Sequence, residues 1–565
     1  MTFSQIASSL SALITKALSL STLAILSLGL TGGVAQAQLK PPVIYTLSPT
    51  GVDLATSSFT TSVTDLSIGP LSLERSYVTA DGPGSWSSSE YFGYGWTHNF
   101  DIYAREDTIH GQNSSSVTIG RTVYKFPGWP TSTSPEVNDG VTLALVGGAL
   151  VFTDKDGTIY QFLTGSLKIS TITHPDGSSL TFSYVSNTLK TIVSNRGYAL
   201  VFDYSSALVS AACGYNLAVT YVTSSTTCGA AVLKVGYGYT SSKLTAVTDV
   251  MTNVSHYTYT SGGYLTCLTD PGTTTCKITN TNGATRSGIV AVTSQVTADN
   301  ATWSYACDCG LAEQADPDDL NPMDGTRMTE PNSATVDVIF TSGSPSYFKN
   351  ENGKVYTPSY AGRTLLSTTS PEGNAVTFSY NANNVESKRT FAPKSAGLTN
   401  IDEGAKTFPA SCTNPVICNL PLTVTDAKGA VTAYSYDSTH GGVLTEIRPA
   451  DGAGVSAVVR HAYAQKSAFI KNSGGTYSAA APIWVLTEDR TCRTTATVSG
   501  ACAGGSTDEV VTTYEYGAAS GPNNLLLLGI AITADGTTRR TCFGYDWMGN
   551  RISTTAPRAG LTACS

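Results

Sequence analysis

The sequence predicts an all-β protein: an amino-terminal β domain followed by a spiralling ribbon of stacked β-hairpins. Four observations predict it. Charged residues make up only 13% of the 565, against roughly 25% in an average globular chain. Thr, Ser, Val, Tyr and Gly are abundant while Glu and Lys are sparse, a mixture suited to pleated strands and tight turns. Short segments such as VTFSY and VTAYSY alternate, placing Val, Phe or Tyr on one face and Thr or Ser on the other. Finally, one phrase keeps returning at an interval of about twenty residues: a glycine-containing turn, an alternating strand ending in tyrosine, and a second strand.

Taken in order, the chain opens with MTFSQIASSLSALITKALSLSTLAILSLGLTGGVAQAQ. Lys16 precedes an apolar run over residues 17–30 that is too short to span a bilayer comfortably. Ala35-Gln36-Ala37 supplies the small residues a signal peptidase accepts, so residues 1–37 are predicted as a signal peptide and Gln38 as the mature terminus. No later apolar run is long enough to cross, so no membrane span is expected after cleavage. The expected destination is secretion, the periplasm or the cell surface. Residues 38–165 form the expected amino-terminal β domain. Residues 166–299 are a first block of repeats, 300–360 an irregular insertion, and 361–565 a second block that reads as truncated.

The repeat is clearest in TITHPDGSSLTFSYVSNTLKTIVSNRGYALVFDYSS, from residue 171, where Tyr184 and Tyr204 close two successive copies. Tyr239 and Tyr259 close two more, and Tyr380, Tyr436, Tyr516 and Tyr545 mark later ones. Asp-Gly, Glu-Gly and Lys-Gly dipeptides supply the left-handed residue that each reversal needs. One two-stranded hairpin is marginal in water. Stacked edge to edge, successive hairpins pool their tyrosines into one wall, where the ring packs and the hydroxyl finds a partner.

All 12 cysteines lie beyond the leader, in neighbouring couples: Cys213 with Cys228, Cys267 with Cys276, Cys307 with Cys309, Cys412 with Cys418, Cys492 with Cys502, and Cys542 with Cys564. An even count in an exported chain favours disulfides, although spacing alone leaves their connectivity open. CLTDPGTTTC is the best case, because Asp270-Pro271-Gly272 folds the segment back on itself. Zinc would need two CxxC-like pairs or partnering histidines, and the sequence has neither. The net charge of −8 and the lack of a long basic run give no support to nucleic-acid binding.

These repeats resemble the YD-repeat, or Rhs, family, in which a tyrosine-aspartate pair precedes a Gly-Asn-Arg or Gly-Arg-Leu turn. Tyr545-Asp546 with Gly549-Asn550-Arg551 matches closely, and Tyr436-Asp437 with Gly442 and Leu444 matches moderately. The copies at Tyr184, Tyr204, Tyr259, Tyr380 and Tyr516 lack the aspartate. Upstream, Arg75-Ser76-Tyr77 and Gly95-Trp96-Thr97-His98-Asn99 resemble the region preceding the repeats in many exported members. The resemblance implies a ribbon wrapped into a hollow shell around a carboxyl-terminal effector, often a toxin.

Residues that carry chemistry are few. There is no G-x-S-x-G, H-E-x-x-H or phosphate-binding glycine loop. The six histidines are scattered, and His98 beside Trp96 reads as packed rather than catalytic. Asp316, Asp318, Asp319 and Asp324 form a possible calcium set in an acidic loop, but Pro317 and Pro322 favour a plain solvated insertion. Asp270-Pro271-Gly272 is similar to the family's self-cleaving D-P-x-G signature. It lacks the surrounding block and reads as a turn. The expectation is therefore a non-enzymatic exported scaffold without cofactor or metal. Its partners would be a carboxyl-terminal effector, a neighbouring cell surface or a glycan. The rivals are a carbohydrate- or surface-binding adhesin, through exposed Tyr and Trp, and a cryptic hydrolase.

Overall fold

The structure is a computed structural model that describes residues 44–79, 91–109, 112–120, 122–128, 140–284, 290–307, 325–341, 343–395, 397–492, 502 and 504–564. The predicted leader 1–37, the acidic loop 316–324 and Cys309 lie outside the described residues. The chain divides into Met1–Pro41 and Pro42–Ser565, and every described residue belongs to the second unit. Among the described residues the helical pieces are two short 3-10 turns, Gly505–Thr507 and Pro557–Ala559; the rest is antiparallel sheet, turn and loop.

The amino-terminal region holds a sheet of Val52–Asp53, Ser58–Ile68, Leu71–Val78 and Trp96–His98, and a second of Ile102–Ile109, Gln112–Ile119 and Thr122–Pro127. From Thr142–Val146 onward, each strand pairs with its successor as far as Ile401–Glu403. A ten-stranded sheet then runs from Ala405–Thr407 to Arg551–Thr555, with one small hairpin set aside (Phe469–Lys471 with Tyr477–Ala479). The ribbon thus takes in Thr142–Phe162, which the sequence assigned to the amino-terminal domain. It also runs through the stretch 300–360, expected to be irregular: Thr302–Cys307, Gly325–Thr329, Thr335–Thr341, Ser344–Lys349 and Val355–Ala361 continue the pairing. TVDVIFT alternates as well as any other repeat, with Val336, Val338 and Phe340 buried. The prolines and acids that gave the stretch its irregular look fall mostly within 308–324.

The repeat tyrosines have a common geometry. The ladder register slips just before Tyr184, Tyr204, Tyr239, Tyr259, Tyr380, Tyr436, Tyr516 and Tyr545. Such a bulge disturbs the local ladder, and the next tyrosine repairs it. Leu189 stands opposite Tyr184, and its carbonyl accepts the Tyr204 hydroxyl at 2.7 Å. Val209 stands opposite Tyr204 and accepts Tyr239 at 2.8 Å; Leu244 stands opposite Tyr239 and accepts Tyr259 at 2.7 Å. The same relay joins Tyr463 to Val443, Tyr516 to Leu486 and Tyr545 to Leu527. Where a tyrosine is missing another donor takes over: the Asn280 amide reaches Leu265 and the Lys406 ammonium reaches Glu386. Replacing Tyr204 by Phe keeps the ring and removes only this donor. A loss of about 1 kcal/mol is expected by urea unfolding, against no change for Tyr221→Phe, whose ring is exposed.

The aspartate of the motif builds the turn. Asp546 Oδ1 accepts the amides of Met548 and Asn550 at 2.9 and 2.8 Å, and Asn550 Nδ2 donates to Oδ2 at 3.0 Å. Gly549 takes φ 86°, and Arg551 lies over the Phe543 ring at 4.9 Å. Asp437 accepts the amides of Thr439 and His440 in the same manner. In the copy at Tyr380, Asn381 does this work, accepting from Asn383 and Val385.

The ribbon winds back on itself. Asn419 Nδ2 donates to the Lys155 carbonyl, 264 residues earlier, and Asn195 Nδ2 to the Ala481 carbonyl, 286 residues later. Asn216 Nδ2 reaches Asn523 and Trp547 across 307 and 331 residues. The Tyr545–Asp546 turn docks beside the amino-terminal sheet, where the Met548 carbonyl accepts the Gly69 amide at 2.8 Å.

Among the described residues five cysteine couples are bonded: Cys213–Cys228, Cys267–Cys276, Cys412–Cys418, Cys492–Cys502 and Cys542–Cys564, with Cα separations of 5.6, 5.5, 4.9, 5.3 and 5.3 Å. All five join neighbours. Non-reducing peptide mapping is expected to recover Cys267–Cys276 and Cys412–Cys418, each short loop contributing about 2–3 kcal/mol. Free thiols at all four positions in protein taken from its native compartment would contradict the assignment.

Candidate functional site at the junction of the amino-terminal segment and the ribbon

The two upstream signatures pair as neighbouring strands. Arg75 stands opposite His98, Ser76 opposite Thr97 and Tyr77 opposite Trp96. Strand Leu71–Val78 alternates strictly, burying Leu71, Leu73, Arg75 and Tyr77. A charged residue therefore sits in the apolar phase, and its environment explains why it is tolerated. The register of Ser58–Ile68 slips between Thr64 and Leu66, so Asp65 is the extra residue of a bulge beside Arg75. Asp65 and Arg75 form a two-pronged pair, Nε to Oδ2 at 3.0 Å and Nη2 to Oδ1 at 3.1 Å, with side chains 1% and 0% exposed.

The ribbon completes this centre. Tyr237 donates to Asp65 Oδ2 at 2.7 Å, Arg75 Nη2 donates to the Tyr257 hydroxyl at 3.2 Å, and the guanidinium lies 4.1 Å over the Trp96 ring. Trp96 Nε1 donates to Tyr259 at 2.9 Å, and the Tyr77 hydroxyl accepts the Leu265 amide at 3.0 Å. Burial works against the Arg75 charge, but the Asp65 carboxylate, together with Tyr257 and Tyr237, outweighs it and holds the guanidinium protonated. Burial, then the same carboxylate, pushes the Tyr237 phenol well above 10.0. Burial also pushes Tyr77 up to about 12. Gly95 is required at φ 80°, where an added Cβ would collide with the Tyr77 ring. Asn99 closes the strand end: Oδ1 accepts the Glu74 amide and Nδ2 donates to the Ser72 carbonyl. Farther along, Thr50 and Ser48 enter a polar cluster with Gln295 and Tyr305. Charged and polar contacts thus seat the amino-terminal segment against the ribbon.

His98 is buried between Phe92 and Phe202, at ring separations of 5.4 and 6.0 Å. Its Nδ1 has no hydrogen-bond partner. Burial pulls its pKa below 6.5, opposed by Asp101, so the ring is neutral at pH 7. Beside it opens a cleft of about 160 Å³ whose lining includes Tyr91, Asp101, Arg105, Lys168 and Tyr184.

Among the other histidines, His461 Nδ1 meets Asp489 Oδ1 at 2.6 Å while Tyr514 donates to Asp489 Oδ2 at 2.7 Å. Sequence reasoning missed this grouping, whose members lie on three adjacent strands. His440 packs on Tyr463 and Trp484, His174 meets Thr158, and His110 lies outside the described residues. Asp270 sits in an exposed turn, 3.1 Å from Lys277. Cys492, Cys502 and Asp508 converge, but the two sulfurs are bonded to each other.

No family model matches the chain, and no curated protein does. Among solved structures, the chain is similar to TcdB2-TccC3 without its hypervariable C-terminal region, at 11% identity and TM-score 0.35, covering 84% of this chain and 26% of that one. A TcdB2-TccC3-Cdc42 structure matches at 11% identity and TM-score 0.34, over 86% of this chain and 27% of that one. A Photorhabdus luminescens Tc holotoxin pore with a mutated TccC3 matches at 12% and 0.32, over 81% and 28%. The chain thus spans little more than a quarter of these chains.

Proposed function

We propose that this protein is an exported, non-enzymatic scaffold of the Rhs, or YD-repeat, type, whose wound β ribbon forms part of a shell for a carboxyl-terminal effector. The observation that carries this reading is the winding: turns 264 to 331 residues apart hydrogen-bond to one another. A ribbon joined edge to edge in this way makes a wall. The tyrosine relay supports the reading too, since it spends the distinctive residues of each repeat on holding the ribbon together. Disulfides between neighbours suit a chain that folds after export.

The test is the product of the natural reading frame, including whatever follows residue 565, challenged with protease before and after denaturation. A carboxyl-terminal segment that resists cleavage until the ribbon unfolds is expected. Cleavage as fast as that of the isolated segment, together with glycan binding by the folded ribbon, would favour an adhesin. Residues 38–565 held from about pH 4 to about pH 9 are expected to remain one band. A fragment that disappears in Asp270→Asn would make Asp270 catalytic and end the non-enzymatic reading.

A further inference from the structure

The ribbon changes sheet at one residue. Ile401–Glu403 pairs with the strand before it and Ala405–Thr407 with the strand after it. Between them Gly404 takes φ 63°, with nothing within 4 Å of where a Cβ would stand. A glycine in open space absorbs a large backbone change at little cost. The two sides are also built separately. Among the described residues, the main core draws its buried members from Val52 to Phe348, and Met548 is the one apolar side chain beyond Gly404 that packs against it. Each of the five bonded cysteine pairs lies wholly on one side of Gly404.

The seam that joins the two sides is mostly polar. Near Gly404 the Lys406 ammonium reaches the Glu386 carbonyl and Asn383 Nδ2 donates to Asn419 Oδ1. Farther along, the Trp484 amide donates to the Asp176 carbonyl at 2.7 Å, the Lys471 amide to Leu217 at 2.8 Å and the Tyr477 hydroxyl to Ala218 at 3.0 Å. Small apolar contacts accompany them, Val416 against Gly157 and Ala468 against Gly197. At the far end stands the Asp546–Gly549 turn. Its Met548 carbonyl accepts the Gly69 amide and its Trp547 carbonyl accepts Asn216 Nδ2. The Tyr198 ring fills the space between: a Cβ added to Gly69 would collide with the ring, and one added to Gly549 would fall 2.5 Å from its hydroxyl. Hydrogen bonds of this kind exchange for bonds to water at small net cost, whereas parting two apolar faces costs in proportion to their area.

We propose that residues 405–564 open from the rest of the ribbon as one panel, with Gly404 as the hinge and the Asp546–Gly549 turn as the latch. Among the described residues no strand pairing crosses Gly404, so opening leaves both ladders whole. It breaks the polar seam and withdraws Met548 from the main core. Polar surfaces between parts of one chain separate in this way, and cooperative units open below the free energy of global unfolding. The movement goes beyond the scaffold reading and does not depend on what the ribbon encloses.

Hydrogen exchange of residues 38–565 in rising urea, resolved by mass spectrometry, tests this. The amides of Gly69, Lys471 and Trp484 donate across the seam, and they are expected to exchange together at lower urea than strands Tyr198–Ser205 and Leu527–Ala534, one on each side. Met548→Ser removes the apolar peg and leaves the backbone of the turn in place. It is expected to speed exchange at all three amides by about tenfold or more, the share of one partly buried side chain, with the two strands unchanged. Seam amides that exchange only when the strands do would overturn the proposal in the wild-type protein alone. A folded Met548→Ser protein in which Gly69 alone is faster, or none of the three is, would make the turn a local contact rather than a latch, and would overturn it as well.

Discussion

Asp65→Ala is expected to destabilise the folded protein by about 3–5 kcal/mol, the cost of stranding one member of a buried ion pair. Arg75 has no route to water: its guanidinium lies under Trp96, beside Tyr257, with both prongs on Asp65. Removing the carboxylate leaves a full charge in an apolar site and frees the Tyr237 hydroxyl as well. The diagnostic comparison is the double variant Asp65→Ala/Arg75→Met. It removes both charges and fills the space with an apolar chain, so its loss should be smaller than that of Asp65→Ala alone. Urea unfolding followed by tryptophan fluorescence provides the measurement. A double variant as unstable as the single one would mean that shape, rather than uncompensated charge, sets the cost.

How much of this centre was legible in the sequence follows from its geometry. Strict alternation in LSLERSYV puts Arg75 in the buried phase, and the Gly-Trp-Thr-His-Asn stretch stands out beside it. Asp65 is concealed because a bulge, which alternation does not encode, turns it inward. Tyr237 and Tyr257 lie 172 and 182 residues from the charges they touch. As sequence they are ordinary repeat tyrosines. The repeats show a similar split. Their spacing and turns are readable, and the all-β ribbon follows. The relay from each hydroxyl to the carbonyl opposite the preceding tyrosine depends on a register slip that spacing does not reveal. His461, Asp489 and Tyr514 meet only because Ser456–Lys466 pairs with Ile483–Cys492 across the small hairpin at Phe469–Lys471. The cysteine couples were the easiest to read, because bonded partners are near neighbours along the chain.

Acidification is expected to weaken the same junction through His98. The ring is buried, unbonded at Nδ1, and paired across the strands with the permanently charged Arg75. Asp101 favours a proton there, but burial prevails and the folded pKa lies below 6.5. The sign follows from this. Between the two pKa values the unfolded chain binds a proton that the folded protein excludes, so stability falls as pH falls. The contribution is fully present above pH 6.5. It declines by about 1.4 kcal/mol per pH unit from there, and levels off once pH drops below the folded pKa. His98→Phe keeps an aromatic ring between Phe92 and Phe202 and cannot titrate. Urea unfolding of both proteins through this window should show wild type losing stability relative to the variant by that slope. Arg105 and Lys168 line the same cleft in both proteins, so their contribution cancels in the comparison. Parallel curves for the two proteins would mean that the imidazole accepts its proton without cost, and therefore that a partner or solvent reaches it in the folded state.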